Sequence, residues 1–221
     1  MKELLKFYIK SSFKSLFITF IINIFVMFIL FSKITSLDDK MANYFINILM
    51  PLISMVMCFL CINNLYEVAY IETKEGISEI IVSAPIRYKK LILLRAFVMG
   101  FISWVSVLIV NLAFLMKYVS IKSYFVWFVF FLLPFFSAGY SIIAILLINP
   151  FIKYDIRVKN TVFTMISFGL VYLMSMIVKM IIKYQLSLIY FYFINSAFVI
   201  IFFLSSLVGL KLYKKSLFLR G

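Results

Sequence analysis

Six long stretches of the chain are rich in apolar residues and contain no charged residue. A helix needs about 20 apolar residues to cross the hydrocarbon core of a bilayer, so each stretch is long enough, or nearly long enough, to span a membrane. The stretches are continuous rather than alternating, which excludes a membrane-spanning strand barrel. The charge-free stretches cover residues 15–32, 41–66, 96–116, 123–152, 160–178 and 184–210.

This pattern predicts an all-α integral membrane protein with six transmembrane helices. Lysines that flank the shorter stretches can extend them, because a long side chain reaches the interface from inside the apolar layer. No internal repeat and no linker interrupts the pattern, so residues 1–221 are expected to form a single transmembrane domain. The predicted spans lie near 15–35, 43–66, 94–117, 123–149, 160–180 and 187–210.

Composition agrees with this interpretation, and the charge orients the helices. Of the 221 residues, 66% are hydrophobic, whereas a soluble domain is about half apolar. The net charge is +14, and sixteen lysines and arginines fall on the side that holds both termini, against six on the other side. Because cytoplasmic loops collect Lys and Arg, both termini are predicted to face the cytoplasm. The basic residues separate apolar stretches rather than forming one soluble face, so we expect no nucleic-acid partner.

The N-terminal segment 1–14 has the pattern of an amphipathic helix that lies along the membrane surface. Its basic side would rest among lipid head groups, and its apolar side would face the hydrocarbon. The alternative is a basic flank that only sets topology. No cleaved signal peptide is expected, because no small-residue cleavage site follows. The basic side is formed by Lys2, Lys6, Lys10 and Lys14, and the apolar side by Leu4, Leu5, Tyr8 and Ile9.

The loop between predicted spans 2 and 3 holds half of all the acidic residues. On a helix, Glu72, Glu75 and Glu79 share one face, and apolar residues occupy the other. Pro85 would end this helix, because the residue before a proline avoids the helical region. The sequence therefore predicts a short cytoplasmic helix near 72–84. Its acidic face suits a protein partner better than anionic lipid, which attracts Lys and Arg. The alternative is a solvated loop with scattered acids.

The chain offers few residues for chemistry of its own. It contains no histidine, so a Ser-His-Asp site is impossible, and no glycine pair has the spacing of a phosphate-binding loop. Cys58 and Cys61 could form a redox or metal pair, but two small apolar residues on a helix is the favoured interpretation. We expect no catalytic, cofactor-binding or metal-binding residue. The predicted spans also lack carboxylates, so energy for uphill transport would have to come from outside the chain.

Uncharged polar residues do occur inside the predicted spans. Asn23, Ser54, Ser141 and Asn195 are candidates for the lining of a weakly polar pathway. The alternative is that such groups form hydrogen bonds between helices, each worth about 0.6–2 kcal/mol. Pro51 and Pro134 are expected to kink spans 2 and 4, since each proline frees a backbone carbonyl.

The segment 72–85, with the sequence ETKEGISEIIVSAP, resembles the coupling segment of type-2 ABC exporter permeases. The order of a basic amphipathic start, two spans, a coupling helix and four spans is also similar to that family. The resemblance implies that the 72–84 helix enters a cleft of a cytoplasmic ATPase and transmits its closure to the spans. The residues expected to couple to the ATPase are Glu72, Glu75, Gly76, Ser78, Glu79, Ser83 and Pro85.

The resemblance further implies an assembly. Two copies of a separate ABC ATPase would bind ATP and Mg. A second permease would complete the assembly in the lipid bilayer, either as an identical copy in a homodimer, which is favoured, or as a related chain. The family often has re-entrant helices between spans 5 and 6, but the segment 179–187 leaves little room for them.

The cargo is inferred from composition and analogy. Uncharged spans with 27 Phe and 14 Tyr favour amphipathic or hydrophobic cargo, such as a peptide, toxin or antimicrobial. A Lys- and Ile-rich chain without histidine indicates an A+T-rich genome, and hence the plasma membrane of a Gram-positive bacterium. The alternatives are a membrane scaffold or assembly subunit, an uncoupled channel, and, last, an integral membrane enzyme.

Overall fold

Four long helical segments form the continuous part of the computed structural model. A π-helical segment, π1 (Phe45–Leu49), leads into α1 (Met50–Lys74), and α2 is Tyr88–Tyr118. The next segment consists of α3 (Tyr124–Trp127), the π-helical π2 (Phe128–Leu132) and α4 (Leu133–Ile148), and α5 is Leu188–Leu212. The structure describes residues 45–74, 88–118, 123–148 and 188–212, and individually residues 6, 10, 17, 20, 21, 23–25, 28, 29, 42, 43, 165, 169, 172, 176 and 180.

These segments confirm the helical membrane character that the charge-free stretches predict. Four of them are long and apolar enough to cross a bilayer, and their bounds lie within a few residues of predicted spans 2, 3, 4 and 6. The four are Phe45–Leu65, Ile92–Leu112, Tyr124–Leu146 and Leu188–Leu212.

The remaining predicted helices lie largely outside the described residues. Predicted spans 1 and 5 are represented by single residues between 17 and 29 and between 165 and 180, and each of these is helical. In the segment 1–14, Lys6 and Lys10 are described, and both are helical and exposed. The six-span count and the surface helix therefore stay predictions.

Helix α1 continues beyond the predicted end of its span. The apolar span was expected to end near residue 66, but the backbone stays helical to Lys74. No proline or glycine interrupts the chain between Pro51 and Gly76, and Glu and Lys favour helix, so nothing local ends α1 sooner. The helix thus leads directly into the acidic segment 75–87.

Helix α4 lies at the centre of the bundle and packs against α1, α2 and α5. Small residues allow the close approach. A Cβ atom on Gly100 of α2 would lie 3.0 Å from the Cα atom of Ala138, and one on Gly139 would lie 3.2 Å from the Cα atom of Phe203 in α5. Close backbone contact between small residues is the usual way in which membrane helices gain packing energy.

Side-chain contacts show that the α3–π2–α4 segment and α5 run in the same direction. Tyr124, at the start of α3, stacks on Tyr192 near the start of α5, whereas Leu146 near the end of α4 approaches Gly209 near the end of α5. The α3–π2–α4 segment and α5 therefore run parallel. Since Tyr124–Leu146 is about 35 Å long at 1.5 Å per residue, the end of α4 and the start of α5 lie about that far apart along the bundle.

The two ends of the bundle differ in chemistry. One end, here called the basic end, holds the end of α1, the start of α2 and the ends of α4 and α5, with Lys89, Lys90 and Lys211. The opposite end, here called the Tyr124 end, holds π1, α3 and the start of α5.

Candidate functional site

The four predicted pathway residues all lie inside the bundle. Asn23, Ser54, Ser141 and Asn195 are each at most 1% exposed. They do not form one cluster, because no hydrogen bond within the described part of the chain joins any two of them. Asn23, Ser54 and Asn195 each contact a different partner, as in hydrogen bonding between spans, whereas Ser141 has no partner among the described residues.

Ser54 joins α1 to α2. The amide nitrogen Nδ2 of Asn111 donates to Ser54 Oγ at 3.2 Å and to the carbonyl of Val107 at 2.9 Å. The amide oxygen Oδ1 of Asn111 is buried and accepts no hydrogen bond from any described residue. This acceptor can bind a water molecule or a donor from a ligand.

Asn23 contacts a cysteine. Its Nδ2 atom lies 3.9 Å from the Sγ atom of Cys61, which acts as a weak acceptor. Cys58 and Cys61 are both buried free thiols. Within the described residues, no three His, Cys, Asp or Glu side chains come together in a way that could hold a metal ion.

Asn195 belongs to a cluster at the Tyr124 end. The Tyr124 ring stacks on the Tyr192 ring with centroids 4.1 Å apart and planes 12° apart. The Tyr124 hydroxyl accepts from Asn195 Nδ2 at 3.0 Å and lies 3.3 Å from Ser196 Oγ. Asn195 Oδ1 is buried and has no partner among the described residues. We call Tyr124 with Tyr192, Asn195 and Ser196 the Tyr124 latch.

A second cluster joins α3 to π1. Asn47 Oδ1 accepts from Ser123 Oγ at 2.8 Å and from the backbone N–H of Phe125 at 3.4 Å. The Nδ2 atom of Asn47 donates to the carbonyl of Asn43 at 3.1 Å. Ser123 is the N-cap of α3, so Asn47 binds the cap and the first turn together. Because Ser123 and Tyr124 are neighbours, the two clusters are continuous.

The π-helical turn of π2 leaves a carbonyl for a neighbouring helix to satisfy. The N–H of Leu133 donates to the carbonyl of Phe128, five residues earlier, instead of to that of Val129. Pro134 has no N–H to offer. The carbonyl of Val129 instead accepts from the indole nitrogen of Trp104 in α2, at 2.9 Å.

Two further interior polar sites lie nearer the basic end. Tyr140 Oη donates to Asn63 Oδ1 at 3.2 Å and so joins α4 to α1. Ser141 Oγ and Ser103 Oγ are buried without a partner among the described residues. Ser141 is thus the predicted pathway residue for which the described residues provide no structural hydrogen bond.

Arg95 is the residue that sequence reasoning placed least well. The charge count groups it with the cytoplasmic basic residues, at the start of the predicted span 94–117, but it lies two turns into α2 and is only 3% exposed. A buried arginine in a membrane bundle marks a candidate functional position. The burial of Arg95 depends on which helices pack against it, and counting charges along the chain does not predict helix packing. Tyr124 and Trp104 were also not singled out, since aromatic residues are common in every span.

Of the predicted coupling residues, the structure describes Glu72. Glu72 lies in the last turn of α1. Glu75, Gly76, Ser78, Glu79, Ser83 and Pro85 lie outside the described residues. The helices on either side of these residues, α1 and α2, both pack on α4. At the start of α2, Lys89 Nζ donates to the backbone carbonyl of Lys211 near the end of α5 at 2.7 Å.

Comparison with known proteins does not identify a family. No protein-family model matches the chain, and no curated protein or solved structure is significantly similar to it.

Proposed function

We propose that this chain is the membrane-spanning permease subunit of an ATP-driven ABC exporter. The observation that carries the proposal is the position of the acidic segment 75–87. It connects α1 directly to α2, and both helices pack against the central helix α4. A partner that pulls or pushes this segment therefore acts on two helices in contact with the centre of the bundle.

The parallel direction of the α3–π2–α4 segment and α5 supports the six-span topology of the family that the chain resembles. The α3–π2–α4 segment and α5 run parallel, so the end of α4 and the start of α5 lie at opposite ends of the bundle. A return crossing by the 39 residues 149–187 is therefore part of the proposal. The charge-free stretch 160–178 lies in this segment and is long enough for the return. With the basic end in the cytoplasm, both termini are cytoplasmic as well. The Lys- and Ile-rich composition without histidine favours the plasma membrane of a Gram-positive bacterium.

The chemistry of the interior supports an external energy source. Among the described residues, the buried polar side chains are amides, hydroxyls and Arg95, without a carboxylate. Ion-coupled transporters use ionisable groups such as Asp, Glu and His to relay protons or ions. Neutral donors and acceptors instead suit an amphipathic or hydrophobic cargo, such as a peptide, toxin or antimicrobial. The pathway lies along Asn23, Ser54, Ser141 and Asn195.

The mechanism requires two arrangements of the spans whose populations ATP binding changes. Two cytoplasmic ATPase subunits bind ATP and Mg, and each receives the 72–84 segment of one permease in a homodimer. Glu75 and Glu79 meet basic groups of the ATPase. Closure of the ATPase moves α1 and α2 relative to α4, and the hydrogen bond from Lys89 to the Lys211 carbonyl carries part of the movement to α5.

Co-purification tests the proposal. The chain is co-expressed with any ABC ATPase that is encoded beside its gene and is purified through a tag on the permease; the lack of such a gene would count against the proposal. We expect the ATPase in a one-to-one ratio, and its loss when Glu75 and Glu79 are both changed to Lys. Asp39→Lys is the matched control, because Asp39 lies in the predicted outer loop and its reversal should leave binding intact. A permease that inserts normally but retains no ATPase would favour an uncoupled channel or a scaffold subunit.

A further inference from the structure

Two helices of the bundle are interrupted in the same way at the same end. In each, a five-residue π-helical segment is followed by one residue and then by a proline. The segments are π1 before Pro51 and π2 before Pro134. Both lie at the Tyr124 end, and π1 packs against α3.

These interruptions weaken the helices locally. A proline inside a helix removes one backbone hydrogen bond, and its ring crowds the carbonyl four residues earlier. The π-helical turn makes room for the ring, but its own bonds reach five residues back, as in the bond from Leu133 to Phe128. The carbonyl of Val129 then depends on Trp104 of another helix. Kinks in helices occur at such sites.

The two interrupted tips are tied to each other. Asn47 in π1 accepts hydrogen bonds from Ser123 and from the N–H of Phe125 in α3. Residues 45–49 and 123–132, here called the paired tips, are therefore expected to move together. Helix α5 differs, because it is a continuous α-helix from Leu188 to Leu212 without a proline.

Apolar contacts join the paired tips to α5: the Tyr124 ring meets the Phe191 ring edge-on, Ile48 packs on Phe191, and π2 contacts α5. The hydrogen-bonded part of this interface is the Tyr124 latch. It consists of one ring stack and the two contacts of the Tyr124 hydroxyl with Asn195 and Ser196. On α5, the latch residue Asn195 is followed one helical turn later by Val199, and both side chains are 0% exposed. The Oδ1 atom of Asn195 lacks a partner among the described residues, so opening would give it a donor from water or cargo.

We propose that the paired tips swing as one unit away from α5, with the breaks before Pro51 and Pro134 as hinges and the Tyr124 latch as the closing contact. The swing exposes the face of α5 that carries Asn195 and Val199. Its role as the outer gate of an exporter rests on the proposed function, whereas the movement itself needs no ATPase.

Thiol accessibility tests the gate in the full chain. Val199→Cys places a reporter on the covered face of α5, and a charged methanethiosulfonate reagent measures its exposure in nanodiscs. The chain without the added cysteine gives the background from Cys58 and Cys61. Tyr124→Phe keeps the ring stack but removes the hydroxyl, so we expect labelling to become about fivefold faster. Pro51→Ala with Pro134→Ala allows uninterrupted α-helices, so we expect labelling to become about fivefold slower.

Matched controls separate the gate from general loosening. Tyr190→Phe removes a hydroxyl from an exposed tyrosine of α5, and Pro150→Ala replaces a proline beyond the described end of α4. Neither should change the labelling rate. Equal rates in Tyr124→Phe and Tyr190→Phe would overturn the gate, as would an unchanged rate in a monodisperse double-proline variant. If that variant does not fold, the two tyrosine variants decide the question. Hinge-dependent labelling of a chain that binds no ATPase would support the gate and refute the exporter.

Discussion

The indole N–H of Trp104 donates to the backbone carbonyl of Val129 across the contact between α2 and π2, at 2.9 Å. This bond compensates for two missing backbone donors. Leu133 donates to Phe128 instead, and Pro134 has no N–H. An unsatisfied carbonyl in the apolar layer is costly, so the π-helical turn depends on a side chain from a different span.

Trp104→Phe should therefore destabilise the bundle. The ring is largely retained, but the buried carbonyl of Val129 loses its donor, at a cost of about 1–2 kcal/mol in the free energy of unfolding. A thiol-reactive dye can follow thermal unfolding, because Cys58 and Cys61 are buried and become reactive on unfolding. Trp127→Phe is the control, since Trp127 is 57% exposed. Equal stability of the two variants would show that the Trp104 bond contributes little.

Gly100→Ala should also destabilise the fold, because the new methyl group would meet the backbone of Ala138 at 3.0 Å. Separation of α2 from α4 costs about 1–3 kcal/mol. The control is Gly209→Ala, where the nearest atom is Leu146 Cδ1 at an ordinary 3.6 Å. We expect that variant to be neutral or slightly stabilised. The same thiol-dye unfolding assay compares both, and an unchanged midpoint for Gly100→Ala would contradict the close packing.

The parallel direction of α4 and α5 leads to a topology test. Single cysteines at Asp155 and Lys183 should lie on opposite sides of the membrane, because the predicted fifth span lies between them. In intact cells, an impermeant thiol reagent should label Lys183→Cys, and it should label Asp155→Cys only after permeabilisation. Labelling of both from the same side would contradict six spans.

The sequence predicts the spans well but their internal contacts poorly. Charge-free length places Phe45–Leu65 and Tyr124–Leu146 within a few residues, because a helix in lipid must be apolar over the bilayer thickness. The same pattern does not predict that α1 continues to Lys74, since nothing apolar marks that extension. Pro51 and Pro134 predict interruptions. The π-helical form in π2 depends on Trp104, which is distant in sequence.

For the candidate site, the sequence likewise identifies the polar residues of the interior but not their partners. The sequence predicts that Asn23, Ser54, Ser141 and Asn195 line a pathway or form hydrogen bonds between helices, and all four are buried. Their partners depend on how the helices are rotated and staggered, which periodicity does not specify. Arg95 was counted among the cytoplasmic basic residues because it precedes a charge-free stretch, whereas α2 begins at Tyr88 and carries it into the interior. The assignment of the coupling segment depends on its sequence and on the positions of the flanking helices α1 and α2.

ATP hydrolysis by the permease–ATPase complex in nanodiscs tests the central claim most directly. Glu79→Lys should reduce hydrolysis to the rate of the ATPase alone, because the reversed charge would repel the basic groups that we propose hold the coupling segment. Asp39→Lys should retain the rate of the unaltered complex. A Glu79→Lys complex that hydrolyses ATP at the unaltered rate would contradict coupling through this segment.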